Sequence, residues 1–121
     1  MSALIDTGVL FDYLAGVSTA REALERYPSS AISVLTWVEV MALAPASKEE
    51  STRNFLRRFE RLAFNEAIAD RAALVARAHQ DVPLPFAIAY ATARINTLKL
   101  VTVDVPSALR DDANIEIPYE R

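Results

Sequence analysis

The sequence predicts an α/β fold built on a parallel sheet of about five short strands with helices between them. Three observations carry this reading. Apolar runs of strand length at Ala3-Leu4-Ile5, Ala31-Ile32-Ser33-Val34, Lys99 to Val103 and Ile115-Glu116-Ile117 are separated by longer segments of helical periodicity. Such alternation implies parallel pairing through right-handed crossovers. Acidic residues also recur just beyond three of these runs, at Asp6, Glu39 and Asp104, on the sheet edge where open parallel sheets bind ligands.

In chain order, Ala3-Leu4-Ile5 reads as a short buried strand, and Thr7 to Leu14 as a helix ended near Gly16. Thr19-Ala20-Arg21-Glu22 has the capping-box form and opens a helix to about Tyr27, closed by Pro28. After the second strand, Thr36-Trp37-Val38-Glu39 repeats that pattern and starts a helix that Pro45 stops. Ser47-Lys48-Glu49-Glu50 is a third box, and Phe55, Leu56, Phe59 and Leu62 lie at core spacing on a helix to about Arg61. Ala63-Phe64 is a candidate brief strand, and Glu66 to His79 an Ala-rich helix. Pro83 and Pro85 break the chain before a helix over Phe86 to Thr97. The clear Lys99–Val103 strand, a short helix near Pro106 to Arg110 and the last strand complete the pattern.

At 121 residues the chain is expected to form one domain with a sizeable core. The 52% apolar content and two glycines exclude a disordered chain. Without cysteine there are no disulfides or thiolate metal sites, and a cytoplasmic location fits. No run is long and apolar enough to span a bilayer. Met1-Ser2-Ala3-Leu4-Ile5-Asp6 enters a strand directly, without a signal-peptide layout. The net charge of −3 removes any whole-molecule attraction to nucleic acid, so RNA binding requires a local basic surface or metal ions.

All strand C-termini of a parallel sheet share one edge, and a helix returning to a strand begins on that edge. Asp6, Glu39, position 86 and Asp104 are therefore brought together by topology. Clustered carboxylates repel and raise the pKa of at least one of them. A bound Mg²⁺ or Mn²⁺ relieves that penalty, prefers oxygen ligands and activates water for attack on a phosphodiester. Thr7 and Thr36, and more weakly Thr102, are placed to hold the ligands or metal-bound waters. The competing reading is local: Asp6 and Asp104 cap the helices that follow them, and Glu39 is the return arm of its capping box. His79 reads as a surface residue at a helix C-terminus, and Trp37 as packing. Arg53, Arg57 and Arg61 form a stripe. It reads first as a solvated face with a Glu49–Arg53 pair and second as a surface for RNA or an acidic partner.

These residues resemble the PIN-domain family, and within it the VapC-like ribonuclease toxins. Leu4-Ile5-Asp6-Thr7-Gly8-Val9-Leu10-Phe11-Asp12-Tyr13-Leu14 looks like the family's opening strand and first acid. Ser33 to Val40 is similar to the stretch with the second acid, and Leu100-Val101-Thr102-Val103-Asp104 to the strand ending in the fourth. Leu84 to Ala93 looks like the helix that carries the third acid, and Ile115 to Pro118 like the closing strand. The resemblance implies a three-layer Rossmann-like fold and Mg²⁺- or Mn²⁺-dependent cleavage of single-stranded RNA. It also implies a homodimer and a small antitoxin that blocks the site.

The acids carry over to Asp6, Glu39 and Asp104 as catalytic and metal-binding residues. The third acid is replaced by Phe86, with Tyr90 one turn later where the family tends to have a small residue. Stacked at i, i+4, these two rings are expected to fill the space of the missing ligand. Pro106 and Ser107 stand where relatives often show Asp-Phe, and Asp81 is a substitute-ligand candidate. The alternative function is a catalytically impaired PIN-fold module that binds RNA or a protein partner without cleavage.

Overall fold

The computed structural model describes residues 3–121. Met1 and Ser2, which open the run expected to lead into the first strand, lie outside the described residues. The strands are β1 (Ala3–Ile5), β2 (Ala31–Ser33), β3 (Glu60–Leu62), β4 (Lys99–Val101) and β5 (Ile115–Glu116). The helices are α1 (Thr7–Leu14), α2 (Ser18–Glu25), α3 (Val34–Leu43), α4 (Glu49–Leu56), α5 (Glu66–Ala78) and α6 (Leu84–Ile95), with 3-10 turns at Ala46–Lys48 and Ser107–Leu109. The five strands pair in parallel in the order β3-β2-β1-β4-β5. The chain steps outward from β1 to β3, then crosses back to β4 on the other side of β1. The direction of winding therefore reverses between β1 and β4, and such a reversal opens a crevice beyond the strand C-termini.

Why these short strands hold together follows from their side-chain alternation. Ala3, Ile5, Ile32 and Val101 join Val9, Leu10, Val40 and Leu56 in the layer under α1, α3 and α4. Leu4, Ala31 and Leu100 face the opposite layer with Ile68, Phe86 and the α6 alanines. Register agrees: Leu4 lies opposite both Ala31 and Leu100, and Ile5 opposite Val101. With both faces covered, β1 and β2 are buried at every position, as the continuous apolar runs require. Ala87, Ala89, Ala91 and Ala93 are all buried, and their small side chains let α6 pack closely on α5 and the sheet.

Two sequence expectations shift. The fourth helix stops at Leu56 rather than Arg61, and β3 lies at Glu60–Leu62 rather than Ala63-Phe64. The Glu60 N–H donates to the Ser30 carbonyl, so this backbone is taken by the sheet before the helix can continue. Charged Glu60 and Arg61 blunt the edge that results. The capping boxes also move. α3 begins two residues earlier than Thr36, capped by Ser33, whose Oγ accepts from the Thr36 N–H at 3.0 Å. α2 begins at Ser18 behind Val17, and α4 at Glu49 behind Lys48, neither with a side-chain cap.

α6 ends in a Schellman motif: Leu98 N–H reaches the Ala93 carbonyl at 2.8 Å and Thr97 N–H the Arg94 carbonyl at 3.1 Å. This holds Thr97 at φ 56°, a left-handed conformation that costs a β-branched residue. Thr97→Gly is expected to stabilise the fold by about 1 kcal/mol, read as a higher urea midpoint at unchanged m.

Candidate active site at the sheet switch point

Asp6 leaves β1 where the winding reverses, and its backbone N–H still pairs with the Val101 carbonyl of β4 at 2.9 Å. It is the N-cap of α1, and Oδ1 accepts from the Thr7 N–H at 2.9 Å. The capping reading is thus correct, but it uses one oxygen only. Oδ2 accepts from Thr102 Oγ1, just past β4, at 2.7 Å. One carboxylate therefore ties the two strands that flank the crevice.

A second line of hydrogen bonds comes from the other side. Thr7 Oγ1 donates to Glu39 Oε1 at 2.8 Å and lies 2.9 Å from Thr36 Oγ1. A hydroxyl has one proton to give. With the Thr7 proton on Glu39, Thr36 donates to Thr7, and Ser33 Oγ donates to Thr36 at 3.3 Å. The chain Ser33–Thr36–Thr7–Glu39 polarises toward a carboxylate throughout. Thr7, Thr36, Ser33 and Thr102 are all buried, and no buried side-chain polar atom among the described residues lacks a partner.

Burial is the main cause that raises the Asp6 carboxyl above the usual carboxylate range. The Thr102 and Thr7 hydrogen bonds oppose it, and the charges of Glu39 and Asp104 add to it. Asp6 is thus a partly desolvated acid that feels the charges of Glu39 and Asp104 and has no ion-pair partner among the described residues.

Asp104 behaves differently. Its side chain is 67% exposed, and Oδ2 is held by Arg121 Nη1 at 2.7 Å. The same guanidinium grips Asp12 through Nε and Nη2, both at 3.1 Å, and its Nη2 reaches the Gly8 carbonyl at 3.3 Å. Arg121, with a hydrogen bond from Tyr119 to Asp12 at 2.7 Å, holds the Asp12 carboxyl below its usual range. Gly8 makes this approach possible: a Cβ there would stand 3.3 Å from Arg121 Nη2, Asp104 Oδ2 and Val103 Cγ2.

The structure thus joins Asp6 to Thr102 and Glu39 to Thr7 and Thr36, and turns Asp104 toward Arg121. Among the described residues no three acidic or imidazole side chains stand close enough to hold one ion as placed. In donor chemistry Asp6 and Glu39, lined by threonine hydroxyls, suit a hard divalent cation. Asp104 joins them only if its side chain leaves Arg121.

Phe86 is buried in the α5–α6 layer. The expected stack with Tyr90 is absent among the described aromatic pairs. Tyr90 instead donates to Asp112 Oδ2 at 2.7 Å. α6 runs from the carboxyl edge toward the opposite edge, and Asp112 precedes β5, so the phenol is drawn away from the acids. Asp81 is exposed and His79 is the C-cap residue of α5. Sequence reasoning missed Asp12, Tyr119 and Arg121. The Gly8/Asp12 spacing of four on α1 was the one available signal, and nothing local points to Arg121.

A sheet wound in the order 3-2-1-4-5, with an acid at its switch point and more acids on the same rim, defines a class of Rossmann-like domains with a carboxylate site. The PIN domain family matches residues 3–105. The chain belongs to the PIN domain family. Among solved structures, a toxin–antitoxin complex from Klebsiella pneumoniae contains a chain 35% identical, covering 99% of this chain and 100% of that one at a TM-score of 0.92. FitAcB from Neisseria gonorrhoeae is 22% identical with a TM-score of 0.78, covering 96% of this chain and 97% of that one. DNA-bound VapBC from Salmonella typhimurium gives the same identity, score and coverage. The latter two establish likeness of fold. A comparison with curated proteins finds no match.

Proposed function

We propose that the chain is a metal-dependent endoribonuclease, the toxin of a toxin–antitoxin pair. The observation that carries this is Asp6: a half-buried carboxylate at the switch point, its pKa raised, with Glu39 and Asp104 adding negative charge around it. The 35% identity to a chain of a toxin–antitoxin complex, end to end, supports the toxin assignment. Asp6 and Glu39 would hold Mg²⁺ or Mn²⁺, with Asp104 as a further ligand once released by Arg121. The ion, when bound, supplies charge for a scissile phosphate and lowers the pKa of a bound water. Thr102 and Thr7 orient Asp6 and Glu39.

Single-stranded RNA as substrate, a homodimer and a cytoplasmic site of action belong to the same reading. No described helix is long and apolar enough to cross a membrane. A groove of about 460 Å³ between α1, α3 and α4, lined by Phe11, Leu14, Val40, Leu43 and Phe55, is a candidate seat for the antitoxin.

The test is cleavage of a single-stranded RNA with and without Mn²⁺ by the wild type and Asp6→Asn. Equal activity of the two would remove Asp6 from the mechanism. A melting titration reads metal directly, because ion at about tenfold its Kd adds about 1.4 kcal/mol. Arg121→Ala is expected to change metal-free stability by about 1 kcal/mol or less, since the guanidinium and Asp104 are exposed and Asp12 keeps its bond from Tyr119. The Mn²⁺-dependent rise in Tm is expected to grow, because Asp104 loses the guanidinium that competes with the ion. A smaller rise in this variant would show that Arg121 does not compete.

A second reading, a PIN module that binds RNA or a protein without cleavage, is favoured by one observation. Phe86 fills the start of α6 with an apolar ring. No metal-dependent change in Tm at millimolar Mn²⁺, with RNA binding retained, would select it.

A further inference from the structure

We propose that Trp37, Arg53, Arg57 and Arg61 form a binding site for the backbone of single-stranded RNA, between the start of α3, the end of α4 and β3. The proposal rests on the ribonuclease reading and adds a place for the strand to either side of the cut. The Arg61 guanidinium lies over the Trp37 ring at 4.3 Å from its centroid, and that of Arg53 at 5.9 Å. Arg57 and Phe59 complete a shallow hollow of about 280 Å³. These arginines come from the end of α4, the turn after it and edge strand β3, so the helix stop at Leu56 is what gathers them.

The charge in this hollow is nearly uncompensated. Arg53 pairs with Glu49 at 3.4 Å, with both side chains well exposed, so that pair neutralises little. Arg57 has only a 3.4 Å contact to the Asn54 side chain. Arg61 has no carboxylate within 4 Å among the described residues. Three guanidiniums are thus held together on a chain of net charge −3. Mutual repulsion makes that arrangement unfavourable for folding alone, and one arginine would suffice to cover Trp37.

The chemistry that satisfies it is a run of phosphates on a flexible strand. Guanidiniums bind phosphate oxygens in pairs, and an aromatic–guanidinium platform stacks unpaired bases. An acidic protein segment would use the charges and leave the ring idle. Position favours RNA too. Trp37 stands next to Thr36 in the first turns of α3, which begins at the C-terminal edge of β2, the edge that carries the acids.

The experiment measures anisotropy of a fluorescein-labelled single-stranded RNA 12-mer in EDTA, where metal-dependent cleavage is off, at several salt concentrations. Wild type is compared with the Arg57→Ala/Arg61→Ala double variant, alongside emission from Trp37, the single tryptophan. Both arginines are exposed, so circular dichroism is expected to show the double variant folded. The variant is expected to bind roughly tenfold more weakly, with a log–log salt slope shallower by about 1.4, as two lost phosphate contacts require. RNA is expected to change Trp37 emission in the wild type and not in the variant.

Unchanged affinity and slope overturn the proposal. If the wild type still cleaves RNA in an Asp6-dependent way in that case, the ribonuclease reading stands without this site. Trp37 emission that responds to polyglutamate and not to the oligomer assigns the hollow to an acidic protein partner and also overturns it. Arginine-dependent binding by a wild type that cleaves nothing supports the site and sinks the ribonuclease reading.

Discussion

Asp6→Asn is expected to lower metal-dependent RNA cleavage by about 10²-fold or more and, at the same time, to raise the melting temperature of the metal-free protein at neutral pH. The two effects have one cause. Folding removes the Asp6 carboxylate from water and sets it near Glu39 and Asp104, so its proton affinity rises on folding. A group whose pKa is higher in the folded state contributes stability that is fully present below its unfolded pKa. That contribution is lost as pH rises through the folded value. At pH 7 the wild type therefore folds against the desolvation of this carboxyl and the charges of Glu39 and Asp104. Asparagine removes the charge and keeps a carbonyl oxygen to accept from Thr7 or Thr102. The advantage of the variant is expected to shrink as pH falls into and below the ordinary carboxylate range, where Asp6 is itself neutral. Mn²⁺ should reverse the order at pH 7 by stabilising the wild type and not the variant. Melting curves at pH 3.5, 5 and 7, with and without Mn²⁺, read all of this. A variant less stable than wild type at pH 7 without metal would show that the hydrogen bonds of Asp6 outweigh its desolvation.

The Asp6 result also marks how far sequence reasoning reaches. Ala3–Ile5 and the Leu100-Val101 part of the expected Lys99–Val103 strand were legible because a strand segment buried on both faces must be apolar, whatever lies around it. β4 ends at Val101, two residues short of that expectation. The rim positions of Asp6, Glu39 and Asp104 were argued from the shared edge of parallel strand C-termini and from helix direction alone. So were the threonines, which sit beside those acids in the chain. What each carboxylate faces was not legible, since that depends on approach between distant segments. In the sequence Asp104 looks set like Asp6, at a strand end before a short helix, but β4 stops at Val101 and Pro106, not Asp104, caps the Ser107–Leu109 turn. Asp6 bonds to Thr102, whereas Asp104 is turned out to Arg121. The β3 edge was misplaced for a similar reason. Phe55, Leu56, Phe59 and Leu62 fit helical periodicity, but the free edge of β2 captures Glu60–Leu62 into the sheet. Tyr90 was read by its helix spacing to Phe86, whereas a carboxylate 22 residues away decides where it points.

Phe86 carries the largest expected effect on stability. Its ring is 7% exposed and packs with Leu4, Leu100 and Ile68 in the α5–α6 layer. Phe86→Ala is expected to cost about 3–5 kcal/mol, a large share of the ~5–15 kcal/mol typical of a domain. Phe86→Asp restores the acid that the family pattern places here, and it separates two descriptions of this corner. If the ring stood over an open metal site, an aspartate would complete the ligand set, and Mn²⁺ would raise both stability and turnover. The packing argues otherwise. A carboxylate at this position lies among apolar side chains, with only the first-turn N–H groups of α6 to offset its desolvation, on top of the cavity left by the ring. Phe86→Asp is therefore expected to be less stable than Phe86→Ala at pH 7, to recover part of the difference at acidic pH as the carboxyl protonates, and to gain little from millimolar Mn²⁺. Urea titrations at two pH values and two metal concentrations decide it. A Phe86→Asp protein with a larger Mn²⁺ shift than wild type would mean that the ring plugs a ligand position still open to the ion, and that the PIN site here is one substitution from its full set of acids.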